Sequence, residues 1–328
     1  MDNEITRRAF CATILALPFP AWAQQAGKIF RIGFLDSSTA AGSAVLVKAF
    51  LQELSKLGWI EGKNLIIEYR FAEQKPERLP ELAADLVRLK VNLIVVTGRP
   101  PALAAKGATT TIPIVMTNVG DPVGEGLVAT LARPGGNITG LSTLSPELNT
   151  KRLEILKDAV PKLVRVGLLR LPGASEAQLQ LKELRPAAVA LKLKLEEIET
   201  EPNTKGLESA FQTAKQKQVK AIITTANRPF FAERKRIVEL ATKYRLPAIY
   251  FQKEFVDEGG LMSYGADFDD LFRKAAHYVD KILKGTKPAD LPVQQATKFE
   301  FVINLKAAKQ IGLTLSPDFL SRANKVIK

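Results

Sequence analysis

The chain is poor in the residues that carry most enzyme chemistry. Its 328 residues include one cysteine, Cys11, and one histidine, His277. A lone cysteine excludes an internal disulfide and any multi-thiolate metal site, so stability must come from an apolar core. A Ser-His-Asp triad would need His277. That residue shares a helical stripe with Asp270, Lys274 and Lys281 and so reads as solvent-facing. There is no H-E-x-x-H and no Cys/His cluster, which removes a zinc site, and no metal or cofactor is expected. Apolar runs of the roughly 20 residues that span a bilayer are missing. So is any low-complexity linker.

What is present begins with an export signal. Arg7-Arg8 precede an apolar run over 9–19, and Ala21-Trp22-Ala23 follows as an A-x-A cleavage site. The run is too short for a membrane anchor, and Pro18 and Pro20 break it. The order predicts a signal peptide over 1–23, cut after Ala23, and a periplasmic mature protein. Thr6-Arg7-Arg8-Ala9-Phe10 also resembles a twin-arginine leader, which leaves the export route open. Cys11 falls inside the leader and lacks the Leu-small-small context of a lipid attachment site.

The formal net charge is +13, with 47 Lys and Arg against 34 acids. Such a balance first suggests nucleic acid. The cations are instead spread along helix faces without interleaved aromatics, so a solvated basic surface is the better reading and no nucleic-acid partner is expected. At 46% hydrophobic the chain has ample core for two domains.

The mature sequence alternates β and α patterns. Strands are expected at 30–35, 65–67, 93–96 and 112–116, then at 164–169, 193–198, 221–224, 247–250, 261–265 and 299–303. The run Leu93-Ile94-Val95-Val96 is of the type buried on both faces of a parallel sheet. Helical spacing places Leu46, Phe50 and Leu54 on one face, and Leu271, Ala275, Tyr278 and Ile282 on another. Asp121-Pro122 reads as an N-cap and first turn, with Gly135-Gly136 as the stop. A helix is also expected over 229–244. Residues 58–64, Gly-Trp-Ile-Glu-Gly-Lys-Asn, miss a P-loop by one residue and read as a turn. The fold class is α/β, as two doubly wound lobes.

Ligands in such folds sit beyond the strand C-termini. That rule nominates Ser37 and Ser38, Gly98 and Arg99, and Asp121 in the first half. In the second it nominates Arg170 and Asn227. An arginine fork fits a carboxylate, and an aspartate pairs an ammonium.

The sequence resembles the substrate-binding subunits of ABC importers, in the subfamily that includes tryptophan and tyrosine binders. The matching stretches include Val119-Gly120-Asp121-Pro122-Val123-Gly124, Leu131-Ala132-Arg133-Pro134-Gly135-Gly136-Asn137 and Gly259-Gly260-Leu261-Met262-Ser263-Tyr264-Gly265. The resemblance implies a type I periplasmic binding protein fold with a three-segment hinge near 141–145, 265–267 and 294–298. One lobe would then hold 29–143 plus 267–294, the other 144–266 plus 295–328. It adds Ser142, Tyr250 and Tyr264 to the candidate ligand-binding residues. The partners it implies are a small molecule and an ABC transporter permease, with the receptor acting as a monomer.

Three loops depart from the relatives. Arg170-Leu171 stands for an aromatic residue and Asn, Asn227-Arg228 for Asp-Pro, and Arg99 for a small hydroxyl residue. The cations gained at Arg99 and Arg170 lean towards a more anionic ligand, which the two face from opposite lobes. The rival readings are an exported hydrolase or lyase using a carboxylate pair in the same cleft, and a sensor subunit for a membrane signalling protein.

Overall fold

The computed structural model describes residues 29–328 apart from 144 and 174. The expected leader, with Cys11 and the cut after Ala23, lies outside the described residues. The chain runs β1 (Phe30–Asp36), α1 (Ala40–Lys56), β2 (Leu65–Phe71), α2 (Leu79–Arg88), β3 (Leu93–Thr97), α3 (Arg99–Ala108), β4 (Ile114–Val119) and β5 (Ile138–Ser142). It continues through α4 (Ser145–Ala159), β6 (Arg165–Arg170), α5 (Ser175–Ala190), β7 (Lys194–Glu199), α6 (Thr204–Gln216), β8 (Ala221–Thr224), α7 (Arg228–Ala232), α8 (Arg234–Lys243) and β9 (Ala248–Tyr250). The last part is α9 (Glu254–Asp257), β10 (Met262–Ala266), α10 (Phe268–Leu283), β11 (Gln294–Gln295), β12 (Phe299–Asn304), α11 (Leu305–Ile311), α12 (Pro317–Ser321) and β13 (Lys325–Ile327).

Two sheets result. The first has the order β11-β5-β4-β3-β1-β2, and its paired strands are parallel. The second has the order β13-β12-β10-β9-β8-β6-β7, in which β12 runs antiparallel to β10. Each sheet reverses its order around its first strand, as in a doubly wound fold. The chain passes between the sheets three times, from β5 to α4, from β10 to α10 and from β11 to β12.

Burial follows the sequence periodicity. All five residues of β3 are buried, as a strand covered by helices on both faces must be. On one face Phe34 and Leu93 pack with Leu46, Phe50 and Leu54 of α1 and with Leu271, Phe272 and Ala275 of α10. On the other, Val96 and Ile94 meet Leu86 of α2 and Ala102 of α3. The second sheet lies between Leu153, Leu156 and Leu181 of α4 and α5 on one side and Leu207, Phe211 and Ile237 of α6 and α8 on the other. Each fully buried Leu, Ile or Phe contributes about 1.5–3 kcal/mol.

Four local readings change. Residues 122–135 form turns and not a helix. Asp121 does accept a hydrogen bond from the Gly124 N–H at 2.9 Å, but Gly124 and Gly126 each cost a helix about 1 kcal/mol, and the turn goes no further. β5 and β13 are strands that the pattern does not reveal. Gly140 interrupts the first at φ 133°, and the second is three residues long. The helix expected over 229–244 breaks at Glu233 into α7 and α8.

Candidate functional site

The C-terminal ends of strands in both sheets face each other across a cavity of about 260 Å³. Ser37, Gly98, Arg99, Asn118 and Gly120 line it from the first lobe, and Leu171, Asn227, Arg228, Phe251 and Gln252 from the second. Its apolar walls are Pro76, Pro100, Leu171, Pro229, Phe251 and Phe268.

Each lining loop has a local cause. Gly98 caps α3 at φ 79°, a conformation that favours glycine, and so turns Arg99 into the first helical residue beside the cavity. Asn227 caps α7, its Oδ1 accepting from the Phe230 N–H at 2.8 Å while its Nδ2 donates to Thr225 Oγ1 at 2.9 Å. These bonds fix Arg228 as the first residue of α7.

Arg228 reaches across the cleft. Its Nη2 donates to Asp36 Oδ2 at 2.9 Å and to Ser43 Oγ at 3.0 Å. Asp36, at the end of β1, is fully buried and also accepts from the Ser38 N–H at 2.9 Å and from Ser43 Oγ at 2.5 Å. The guanidinium lies 5.3 Å from the centre of the Phe231 ring. A buried charge held this way is tolerated because several donors and an opposite charge replace water.

Several buried polar atoms of the lining residues have no hydrogen-bond partner among the described residues. They are Ser37 Oγ, Arg99 Nε, Gln252 Nε2, and Arg228 Nε and Nη1. The nearest carboxylate oxygen to Arg99 Nε, on Glu125, is 3.9 Å away. Guanidinium nitrogens can only donate. The lining of the cavity thus carries two guanidinium groups, one from each lobe, while no Asp or Glu is among its residues. The unpartnered nitrogens themselves lie enclosed behind its surface. Its chemistry suits an acceptor-rich group flanked by apolar surface.

A family model described as ABC transporter substrate binding protein matches residues 40–327. The chain belongs to that family. It is therefore a solute-binding component of an ABC transporter and not an enzyme, it works outside the cytoplasm, and its partners are a small molecule and a membrane permease. A tyrosine-binding protein of Clostridioides difficile is 28% identical over 267 residues, which is 81% of this chain and 76% of that protein. The crystal structure of a conserved domain protein from Vibrio cholerae is 30% identical with a TM-score of 0.85, covering 91% of this chain and 100% of the other. An ABC domain from Streptococcus pneumoniae, solved in complex with L-Trp, is 26% identical with a TM-score of 0.83 over 92% of this chain and 100% of the other. The two-lobed, periplasmic-binding-protein-like α/β fold is shared with these structures.

Of the residues nominated from the sequence of this substrate-binding protein, Ser37, Gly98, Arg99 and Asn227 line the interlobe cavity. Ser38 stands behind it, giving its N–H to Asp36. Asp121 and Ser142 lie in a second cavity of about 520 Å³ beside the crossing segments, where Ser142 Oγ donates to the Gly120 carbonyl at 3.0 Å. Arg170 turns away from the cleft to pair with Glu197 at 3.1 Å and Glu199 at 2.5 Å on the neighbouring strand. The cation that the second lobe contributes is Arg228. Tyr250 is buried with its ring stacked on Phe255 at 4.6 Å, and burial pushes its phenol well above the ordinary range. Tyr264 packs between Phe299 and Phe301. Neither tyrosine lines the cavity.

Sequence reasoning missed Asp36 and Arg228 as site residues. Arg228 had a signal, since it lies in one of the three loops that depart from the family pattern the sequence resembles. Asp36 had only its place at the end of the first strand. Among the described residues no group of three His, Cys, Asp or Glu side chains can hold a metal ion.

Proposed function

We propose that this protein is a periplasmic, monomeric receptor whose two lobes close on a small carboxylate with a flat apolar body. The ligand then passes to the permease of an ABC importer. The observation that carries the reading is the pair of arginines, Arg99 and Arg228, that line one cavity from opposite lobes with no acid among the lining residues. The ligand's carboxylate accepts from the two arginines, one from each lobe, and its body lies against Phe251, Phe268 and the prolines. A ligand held by both lobes stabilises the closed arrangement by its differential contacts with it. The relatives agree in part. Tyrosine and tryptophan, named for two of them, each carry a carboxylate on an aromatic body. Their ammonium is the group for which this cavity has no carboxylate. No nucleic acid enters the reading, and export through a cleaved leader completes it.

Calorimetric titration with L-tyrosine, L-tryptophan and their deaminated analogues, 3-(4-hydroxyphenyl)propanoate and 3-indolepropionate, tests it. A neutral donor buried without an acceptor costs roughly 1–3 kcal/mol, and a charged ammonium at least as much. The deaminated acids should therefore bind about ten- to a hundredfold more tightly than the amino acids. Equal or tighter binding of the amino acids would overturn the absence of a place for the ammonium, and tight binding of tyramine or tryptamine, which lack the carboxylate, would overturn the carboxylate reading.

A further inference from the structure

Both sheets turn their C-terminal strand ends to the cleft, so the opposite strand ends form the outer poles of the molecule. At the pole of the second lobe, four connections lead from helices into β6, β7, β8 and β9. Between the element ends, 160–164, 191–193, 217–220 and 244–247 carry five basic residues and no acid, with Arg165, Lys194 and Lys243 directly adjoining. The matching connections of the first lobe are 57–64, 89–92 and 109–113. They hold one Lys with one Glu, one Lys, and no charge at all, with Lys56 and Arg88 adjoining. Cations suit the C-terminal ends of helices through the helix dipole. That explanation applies to both lobes alike, whereas the charge is concentrated on one.

Ion pairs use up only part of it. Lys194 and Lys217 share Glu196, and Lys243 pairs with Glu208. Lys162, Lys192, Lys220 and Arg245, one from each connection, are exposed and have no carboxylate within 4.0 Å among the described residues. β12 runs antiparallel to β10, so its end brings α11 to the same pole, with Lys306 and Lys309 exposed. Two exposed valines sit among these cations. Val164 is 59% exposed and Val189 77%. They are neighbours through the β7 connection, whose Lys192 N–H donates to the Val189 carbonyl at 2.9 Å and whose Lys194 N–H donates to the Val164 carbonyl at 2.7 Å.

We infer that this basic pole, with its valine pair, docks on the anionic headgroups of a bilayer. Phosphates complement the unpaired cations, and the valines enter the interfacial layer as cationic stems spread around them. The cleft lies at the other end of the lobe, so docking leaves ligand access open. The receptor is thus retained at a membrane surface by side chains of its own second lobe.

Co-sedimentation of the mature protein with vesicles tests the proposal. Binding is expected with phosphatidylglycerol mixed into phosphatidylcholine, not with phosphatidylcholine alone, and it should fall as salt shortens the screening length. Each cation near an anionic surface contributes about a fivefold factor, so the joint variant Lys162→Gln, Lys192→Gln, Lys220→Gln and Arg245→Gln should bind roughly 10²–10³-fold more weakly. Its affinity for the small-molecule ligand should not change. The pair Val164→Ser and Val189→Ser, outside the charged set, should also weaken vesicle binding and serves if the joint variant fails to fold. Absence of binding to anionic vesicles at low salt would overturn the proposal. So would retained binding in these variants, or tighter binding to a soluble anionic polysaccharide.

Discussion

Arg228 Nη2 lies 2.9 Å from Asp36 Oδ2, and the two residues come from different lobes. Asp36 is fully enclosed, yet its partner arrives from another sheet, so opening of the cleft must separate them. The pair is a contact of the closed arrangement. It also holds the guanidinium of Arg228 in the lining of the cavity.

Asp36→Asn should therefore act on the hinge more than on the cores. A charge-assisted hydrogen bond lost between lobes is worth about 1.5–3 kcal/mol, which moves the balance towards the open form roughly ten- to a hundredfold. Small-angle scattering of the ligand-free variant should give a larger radius of gyration, with a melting temperature close to that of the parent. An unchanged radius would show that other contacts hold the lobes together.

Arginine variants should divide into two classes. Arg99→Ala and Arg228→Ala should each weaken a carboxylate ligand by about ten- to a hundredfold, as loss of a charged hydrogen bond does. Arg228→Lys should not rescue, because an ammonium is a point charge and cannot reproduce the planar fork that binds Asp36 through one nitrogen and keeps the others apart from it. Arg170→Ala should leave affinity unchanged, since its guanidinium is spent on Glu197 and Glu199. Titration calorimetry reads all four.

Asp121 separates a turn from a ligand contact. Asp121→Asn keeps an oxygen for the Gly124 N–H, so melting should hardly move. Asp121→Ala loses that bond, at a cost of roughly 1 kcal/mol. Neither should alter affinity by more than a small factor, because Asp121 lines the cavity beside the crossing segments and not the one between Arg99 and Arg228. A large loss of affinity in Asp121→Asn would return this residue to the binding site.

Stability should fall in alkali. Burial raises the Tyr278 phenol to about 12, and its OH donates to the Pro292 carbonyl at 2.5 Å. The unfolded phenol titrates near 10, so between these values the unfolded chain releases a proton that the folded one keeps. The neutral phenol's contribution is thus complete below about pH 10 and is lost as pH rises towards 12. Thermal melts across this range should show the decline, and Tyr278→Phe should flatten part of it. An equally steep decline in Tyr278→Phe would place the titrating group elsewhere.

The helical stripes and the apolar strands were legible because burial imposes a period on them. Leu46, Phe50 and Leu54 repeat at helical spacing and are all buried, and β3 is as apolar as its two covered faces demand. β5 was hidden because Gly140 sits against the Met116 backbone, where an added Cβ would come within 2.2 Å of the carbonyl oxygen. Close approach asks for glycine, and glycine reads as a turn. At the site, Arg99 could be placed because Gly98 and two prolines mark the start of its helix. Arg170 was misleading for the opposite reason. The position after a strand says where the backbone is, but the acids on β7 that draw the side chain away are set by strand pairing. The link from Asp36 to Arg228 spans 192 residues of sequence, and no local pattern announces it.

The three crossings between the sheets also govern the order in which the protein can be completed during synthesis. α10 supplies Leu271, Phe272 and Ala275 to the core that α1 began, and β11 extends the sheet beyond β5. The second sheet in turn waits for β12 and β13. Neither lobe corresponds to one uninterrupted stretch, so a growing chain cannot finish the first half before making the second. Both halves close only as the last few dozen residues emerge, and a truncated product is left with two unfinished sheets instead of one intact lobe.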